Sequence, residues 1–190
     1  MSQPDRPVFS PEAAPGEQPS EPPVPLLYRD AMMLVIDKPA GLPSHRGPQA
    51  KRRIIPVLTD YLDALRFGLP RKPEAAHRLD KDTSGCLVLG RHPRAMAELN
   101  QMFRDGRIGK TYWAIVQGEP AQDEGLIDLP LAKRSPERGW WMKVDPAGLP
   151  SQTRYRVLGR GESEHGPLAW LALEPLTGRT HQLRVHCQAS

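Results

Sequence analysis

His77-Arg78-Leu79-Asp80-Lys81-Asp82-Thr83-Ser84-Gly85-Cys86-Leu87-Val88-Leu89 joins a polar cluster to an apolar run. Gly85 to Leu89 is too short for a helix and apolar on both faces, which predicts a central β-strand. The residues before it crowd one histidine, one arginine and two carboxylates onto the approach to that strand. A surface turn explains part of this: Asp80 or Asp82 can bond its own backbone, Thr83 and Ser84 can do the same, and Gly85 supplies a permissive dihedral. The density of ionisable groups beside a buried strand argues for chemistry too.

Upstream, Met32-Met33-Leu34-Val35-Ile36 reads as a buried strand, stopped by the turn Asp37-Lys38-Pro39-Ala40-Gly41. Between Ile55 and Arg66, Val57, Leu58, Tyr61, Leu62 and Leu65 have the spacing of a helix with one buried face. A Gly/Pro-rich loop follows over Phe67 to Ala75. Downstream, Pro93 suits the first turn of a helix whose buried stripe is Ala95, Met96, Leu99, Met102 and Phe103, and Gly106 ends it. Thr111 to Val116, rich in β-branched and aromatic residues, predicts a strand. Trp140 to Val144, Gln152 to Leu158 and Leu168 to Leu173, separated by Gly/Pro/Ser segments, predict an antiparallel meander. Thr180 is placed to cap a last helix beginning at His181. The class is α+β.

The 190 residues, 38% of them hydrophobic, can bury one core, so a single compact domain over residues 26–190 is expected. Residues 1–25 hold eight prolines and almost no apolar periodicity, the composition of a disordered tail. That tail carries a formal charge of −3, so the net +4 of the chain becomes +7 over the remainder. With Lys51-Arg52-Arg53 and the scattered Arg71, Lys72, Arg78, Arg104, Arg107 and Lys110, the excess suits a polyanion such as RNA, although arginines that merely solvate a surface give the same count. No stretch approaches the ~20 apolar residues of a membrane span, and the N-terminus lacks a signal-peptide pattern, so a cytoplasmic protein is expected. Cys86 and Cys187 are too few for a disulfide framework and are read as small buried hydrophobes.

Two further clusters carry polar groups: Lys110-Thr111-Tyr112-Trp113, and Thr177-Gly178-Arg179-Thr180-His181-Gln182-Leu183-Arg184-Val185-His186. Tyr112 alone reads as a half-buried strand aromatic. On a helix His181 and Arg184 would share one face, a geometry that serves a cleft or a structural ion pair equally.

Taken together, these segments resemble the RluA-type family of pseudouridine synthases, which act on ribosomal and transfer RNA. His77-Arg78-Leu79-Asp80 followed by Thr83-Ser84-Gly85 is similar to that family's catalytic motif, and Gly178 to His186 to its C-terminal signature. Asp37-Lys38-Pro39-Ala40-Gly41-Leu42 and Lys110-Thr111-Tyr112-Trp113-Ala114 also match family segments, in family order. The resemblance implies a mixed, largely antiparallel sheet flanked by helices. It makes Asp80 the catalytic aspartate, stacks Tyr112 on the target base, pairs Arg184 with the aspartate, and lets Arg78 fill the gap left by an everted base. His77, Thr83, Arg179 and His181 become substrate-binding residues, the last two equally able to support the turn. Relatives often carry an S4-type RNA-binding domain and continue past the signature through a further helix and strand, so a short form lacking its C-terminal elements is expected.

Turning uridine into pseudouridine breaks the N1–C1′ bond, rotates the base and joins C5 to C1′. Nothing is gained, lost or oxidised, so the expectation is no cofactor, no metal, and RNA as the partner of a monomer. A carboxylate beside C1′ can attack it, stabilise positive charge on the sugar or move a proton, and an arginine neighbour favours its charged form. The base must first leave the stack. Three other readings compete. A noncatalytic RNA binder leaves Asp80 unexplained among basic residues. A glycoside hydrolase built on Asp80 and Asp82 needs two residues of one turn to face a substrate from opposite sides. A zinc site from His181, His186 and Cys187 has none of the usual spacings.

Overall fold

The computed structural model describes residues 24–45, 56–135 and 141–190. The tail over 1–23, the run Lys51-Arg52-Arg53 and Trp140 lie outside them. The described residues fall into two compact units, divided between Arg107 and Ile108.

The first unit is built on a four-stranded antiparallel sheet in the order β1-β2-β4-β3, with β1 Leu26–Arg29, β2 Met33–Lys38, β3 Glu74–Ala75 and β4 Gly85–Gly90. The apolar run Gly85 to Leu89 is therefore an interior strand, as its two-sided hydrophobicity requires. Burial alternates along β2, with Leu34, Ile36 and Lys38 inside. Leu87 and Leu89 of β4 are fully buried beside them, at roughly 2 kcal/mol per buried leucine. Helix α1, Pro93–Arg104, begins with proline in its first turn and His92 as its cap, the ring accepting from the Ala95 amide at 3.2 Å. Ala95 and Leu99 form its most buried stripe, and Gly106, at φ +66°, takes the left-handed turn that ends it.

The helix expected over 55–66 is instead two 3₁₀ turns, Leu58–Asp60 and Leu62–Leu65. The bonds run three residues back, Tyr61 N–H to Leu58 O and Ala64 N–H to Tyr61 O, and the Asp60 carboxylate accepts the Val57 amide at 3.1 Å. Tight turns of this kind still bury Val57, Leu58, Tyr61, Leu62 and Leu65, so the apolar spacing marks the buried face but not the helix type.

The second unit holds an antiparallel sheet in the order β5-β10-β9-β6, from β5 Tyr112–Gln117, β6 Glu124–Asp128, β9 Gln152–Ser163 and β10 Gly166–Pro175. A separate ribbon pairs β7 Leu131–Lys133 with β8 Met142–Val144. The expected three-strand meander is thus only the β9-β10 hairpin, because β8 turns away to pair with β7. The short strands β1, β3, β6 and β7 carry too little alternation to be read in advance. Ala169, Leu171 and Leu173 form the core, with Tyr112, Ala114, Val116, Leu183 and Cys187 against it. On the other face Trp113 and Ile115 stand 71% and 73% exposed, and Trp113 meets Trp170 edge-on at 5.3 Å.

Helix α2 spans Gln182–Ala189, one residue later than expected. Its cap position is His181, which sits in the left-handed region at φ +52° and makes no side-chain cap bond. Thr180 does not cap it. Cys187 is half-buried, but Cys86 is exposed, against the expectation of two buried thiols; it sits opposite Asp37 in the β2-β4 register, on the face away from Leu87.

Candidate active site

Lys38 closes β2 directly opposite Gly85, the first residue of β4, so the Asp80 segment has to loop past it. Strand periodicity puts Lys38 in phase with Leu34 and Ile36, and the side chain is fully buried. Its ammonium donates to three carbonyl oxygens: Leu42 at 2.8 Å, Pro39 at 2.9 Å and Lys81 at 3.1 Å. Three donors meeting three acceptors is the arrangement that makes a buried ammonium tolerable. Burial lowers its pKa to about 8, while the negative charges of Asp82 and then Asp80 pull it back up. At neutral pH it is a buried cation.

Two more bonds tie the same loops together. The Gly41 amide donates to Lys81 O at 2.9 Å, and the buried Ser44 hydroxyl donates to Leu79 O at 2.8 Å. Leu79 is itself buried, at 6% exposure. Asp80 is therefore gripped on both sides through its neighbours' main chain, and the Thr83 amide bonds Asp80 O at 3.1 Å to close a turn. The carboxyl-bearing residue is half-buried, between exposed Arg78 and exposed Lys81 and Asp82. The surface-turn reading is right about the backbone. What it lacks is a reason for three separate side-chain or amide anchors on one turn.

His77 has a different job from its neighbours. Its Nε2 accepts the Val88 amide of β4 at 3.1 Å, which makes that nitrogen the unprotonated one, and its ring lies 4.9 Å from Phe103 of α1. The imidazole is thus engaged by the scaffold of the first unit. Thr83 is half-buried within the turn.

In the second unit, Tyr112 opens β5 on the inward face with Ala114 and Val116, the face that Leu183 and Cys187 of α2 pack against. Arg184 projects, exposed, from α2. His181 does not share a helical face with it, because the left-handed backbone at 181 precedes the helix. Arg179 bonds within and beside the turn: its amide donates to Gln182 Oε1 at 3.0 Å and its Nε to Pro150 O at 3.2 Å. His186 is fully buried, with Nδ1 2.9 Å from Thr153 Oγ1 and Nε2 3.0 Å from Leu129 O. Both ring nitrogens are thereby spent on protein partners, which disfavours the zinc reading.

Sequence reasoning gave Lys38 no role of its own, and met Gln182 and His186 only within the C-terminal cluster and, for His186, as a zinc ligand. The signal for Lys38 was present: a lysine at an inward position of a strand, just before proline. The structural role of the other two was not legible, because their partners Thr153 and Leu129 are remote in sequence.

Residues 32–189 match the family model described as RNA pseudouridylate synthase. The chain belongs to this family, in its RluA type. An uncharacterized RNA pseudouridine synthase of Zymomonas mobilis is 44% identical over 162 residues, covering 85% of this chain and 70% of that protein. The dual-specificity RNA pseudouridine synthase RluA of Escherichia coli is 37% identical over 174 residues, covering 90% and 74%. The solved structure titled Human RNA Pseudouridylate Synthase Domain Containing 1 superposes with a TM-score of 0.70 at 30% identity, over 93% of this chain and 68% of that one. Other curated relatives are longer, and the chain spans about half their length. The α+β architecture of the described residues is consistent with that family's fold.

Proposed function

We propose that this chain isomerises specific uridines of ribosomal or transfer RNA to pseudouridine, with Asp80 as the catalytic carboxylate acting on an everted nucleotide. The observation that carries the reading is the match over residues 32–189 to a family named for that activity, combined with the anchoring of both neighbours of Asp80 by Lys38, Gly41 and Ser44. A group that meets one sugar carbon gains most from being held before the substrate arrives.

In this reading the RNA releases one nucleotide from the stack, at a cost of a few kcal/mol. Tyr112 stacks on the freed base, and Arg78 fills the gap. The Asp80 carboxylate then either attacks C1′, forming an ester as the N1–C1′ bond breaks, or takes the C2′ proton, giving a glycal as that bond breaks. The uracil turns and C5 bonds to C1′, displacing the carboxylate in the first case and with the proton returned to C2′ in the second, while the C5 proton moves to solvent and N1 gains one. Arg184 supplies the guanidinium for the carboxylate. Atoms and charge balance with no cofactor. Both thiols are free, which fits a reducing compartment, and we assign the reaction to the cytoplasm.

The test is to map pseudouridine in ribosomal and transfer RNA from cells with and without the gene. Loss of particular sites on deletion, their return with the wild-type chain, and their continued absence with Asp80→Asn are expected. Equal restoration by Asp80→Asn removes the assignment of residue 80.

A further inference from the structure

Helix α2 presents an unusual inner face: its two buried residues, Gln182 and His186, are both polar and lie one turn apart. Every polar atom of the Gln182 amide is used. Its Oε1 accepts from Thr177 Oγ1 at 2.8 Å and from the Arg179 amide at 3.0 Å, and its Nε2 donates to Gln152 O at 2.9 Å and Thr153 Oγ1 at 3.0 Å. Thr177 Oγ1 in turn accepts the Gln152 amide at 2.9 Å.

The chain of bonds fixes the imidazole. Leu129 O can only accept, so the hydrogen of the neutral ring sits on Nε2 and donates to it, which leaves Nδ1 to accept the Thr153 hydroxyl hydrogen while Thr153 Oγ1 accepts from Gln182. A neutral, singly protonated ring satisfies every member. The network thus ties one side of α2 to the start of β9, to the turn after β10 and to the residue following β6, all within the second unit.

Arg184 sits midway between the two pinned residues. Two residues of helix are a rotation of roughly 200°, so a helix whose 182/186 side is bonded inward points residue 184 outward, as its exposure records. Apolar contacts from Leu183 and Cys187 would tolerate some rolling of so short a helix; directional hydrogen bonds on both of its turns would not. From this geometry we infer that Gln182 and His186 are positioning residues for pseudouridine formation, setting the direction of Arg184 through the Thr177–Gln182–Thr153–His186–Leu129 network. The inference rests on the reading of Arg184 as the partner of the catalytic carboxylate.

A double-mutant cycle tests it, using total ribosomal and transfer RNA from cells lacking the gene as substrate and the single-turnover rate at saturating RNA as readout. His186→Asn keeps an acceptor for Thr153 and loses the donor to Leu129; Gln182→Met keeps the volume and loses all four bonds. Each is expected to slow the rate about 10- to 100-fold, the cost of a misdirected group, with RNA affinity within about twofold of wild type. In the Arg184→Ala background neither is expected to slow the reaction further, since residues acting through one another are not additive. Thermal melting identifies any variant that does not fold, and the cycle through the other residue then decides. Full additivity with Arg184→Ala, or a wild-type rate in both single variants, overturns the positioning role. A wild-type rate in Arg184→Ala itself overturns the role of Arg184 and the inference with it, and that arm tells the two failures apart.

Discussion

The ammonium of Lys38 and the main-chain carbonyl of Lys81 meet at 3.1 Å across 43 positions of sequence. Through this bond the end of one strand holds the turn that carries Asp80. Replacing the lysine by methionine keeps most of its volume but takes the ammonium from three carbonyl oxygens, of which Lys81 O keeps the Gly41 amide. Lys38→Met is expected to destabilise the protein by about 3 kcal/mol, the scale of unsatisfied buried groups, in urea unfolding at pH 7. It should also slow pseudouridine formation more than it weakens RNA binding.

Alkaline titration gives a second test of the same lysine. Its folded pKa is lowered from 10.5 to about 8, chiefly by burial, so between those values the unfolded chain holds a proton that the folded chain has released. Stability then rises with pH through that window. Wild type is expected to gain stability relative to Lys38→Met from pH 8 to 10.5, read as diverging urea midpoints; parallel midpoints would show that the ammonium is not buried.

His186 predicts the opposite limb. Burial lowers its pKa, against the Leu129 bond and the charge of Asp128, which raise it. A depressed histidine pKa means that the unfolded chain takes up the proton first as pH falls below 6.5, so stability is lost from there downward and levels off below the folded value. The drop in urea midpoint between pH 7.5 and 5.5 is expected to be larger for wild type than for His186→Asn.

Tyr112 separates stacking from packing. Tyr112→Phe keeps the ring both for the core cluster of β10 and for a base, and is expected to retain most activity. Tyr112→Ala is expected to lose ~1 to 3 kcal/mol of base stacking, measured as the change in kcat/KM on the mapped RNA. Equal effects of Phe and Ala would point to the hydroxyl instead of the ring.

Gly148 is a close-approach position. A Cβ there would stand 2.5 Å from the Leu131 carbonyl carbon and 2.8 Å from Asp145 O, both main chain. Backbone cannot swing aside as a side chain can, so Gly148→Ala is expected to cost about 2 kcal/mol, in the range of overpacked sites, by thermal or urea unfolding.

Much of this was legible from one dimension. The two-sided apolarity of Gly85 to Leu89, the stripe of Ala95 and Leu99, and the β-branched run after Thr111 each follow from local periodicity, and the structure places them as an interior strand, a helix and a strand. Asp80, Tyr112 and Arg184 were singled out by the resemblance of their segments, taken in order, to the motifs of a family. The helix expected near Leu58 failed because the apolar spacing of two 3₁₀ turns resembles that of one α-helical face. Strand β8 escaped the expected meander because register is a matter of partners, and a strand does not encode which neighbour it will bond.

Sequence alone determined the chemistry offered: a carboxylate within a basic setting, an aromatic ring, a guanidinium, and the order in which they occur. Tertiary structure alone decided what holds them. Lys38 became a clamp because folding brought Lys81 O to an ammonium already bonded to nearby Leu42 O, and His186 a ring bonded at both nitrogens because Thr153 of β9 and Leu129 just after β6 reached it. Hydrogen bonds need donor and acceptor within about 3 Å, and for groups separated by tens of residues only the folded chain supplies that proximity.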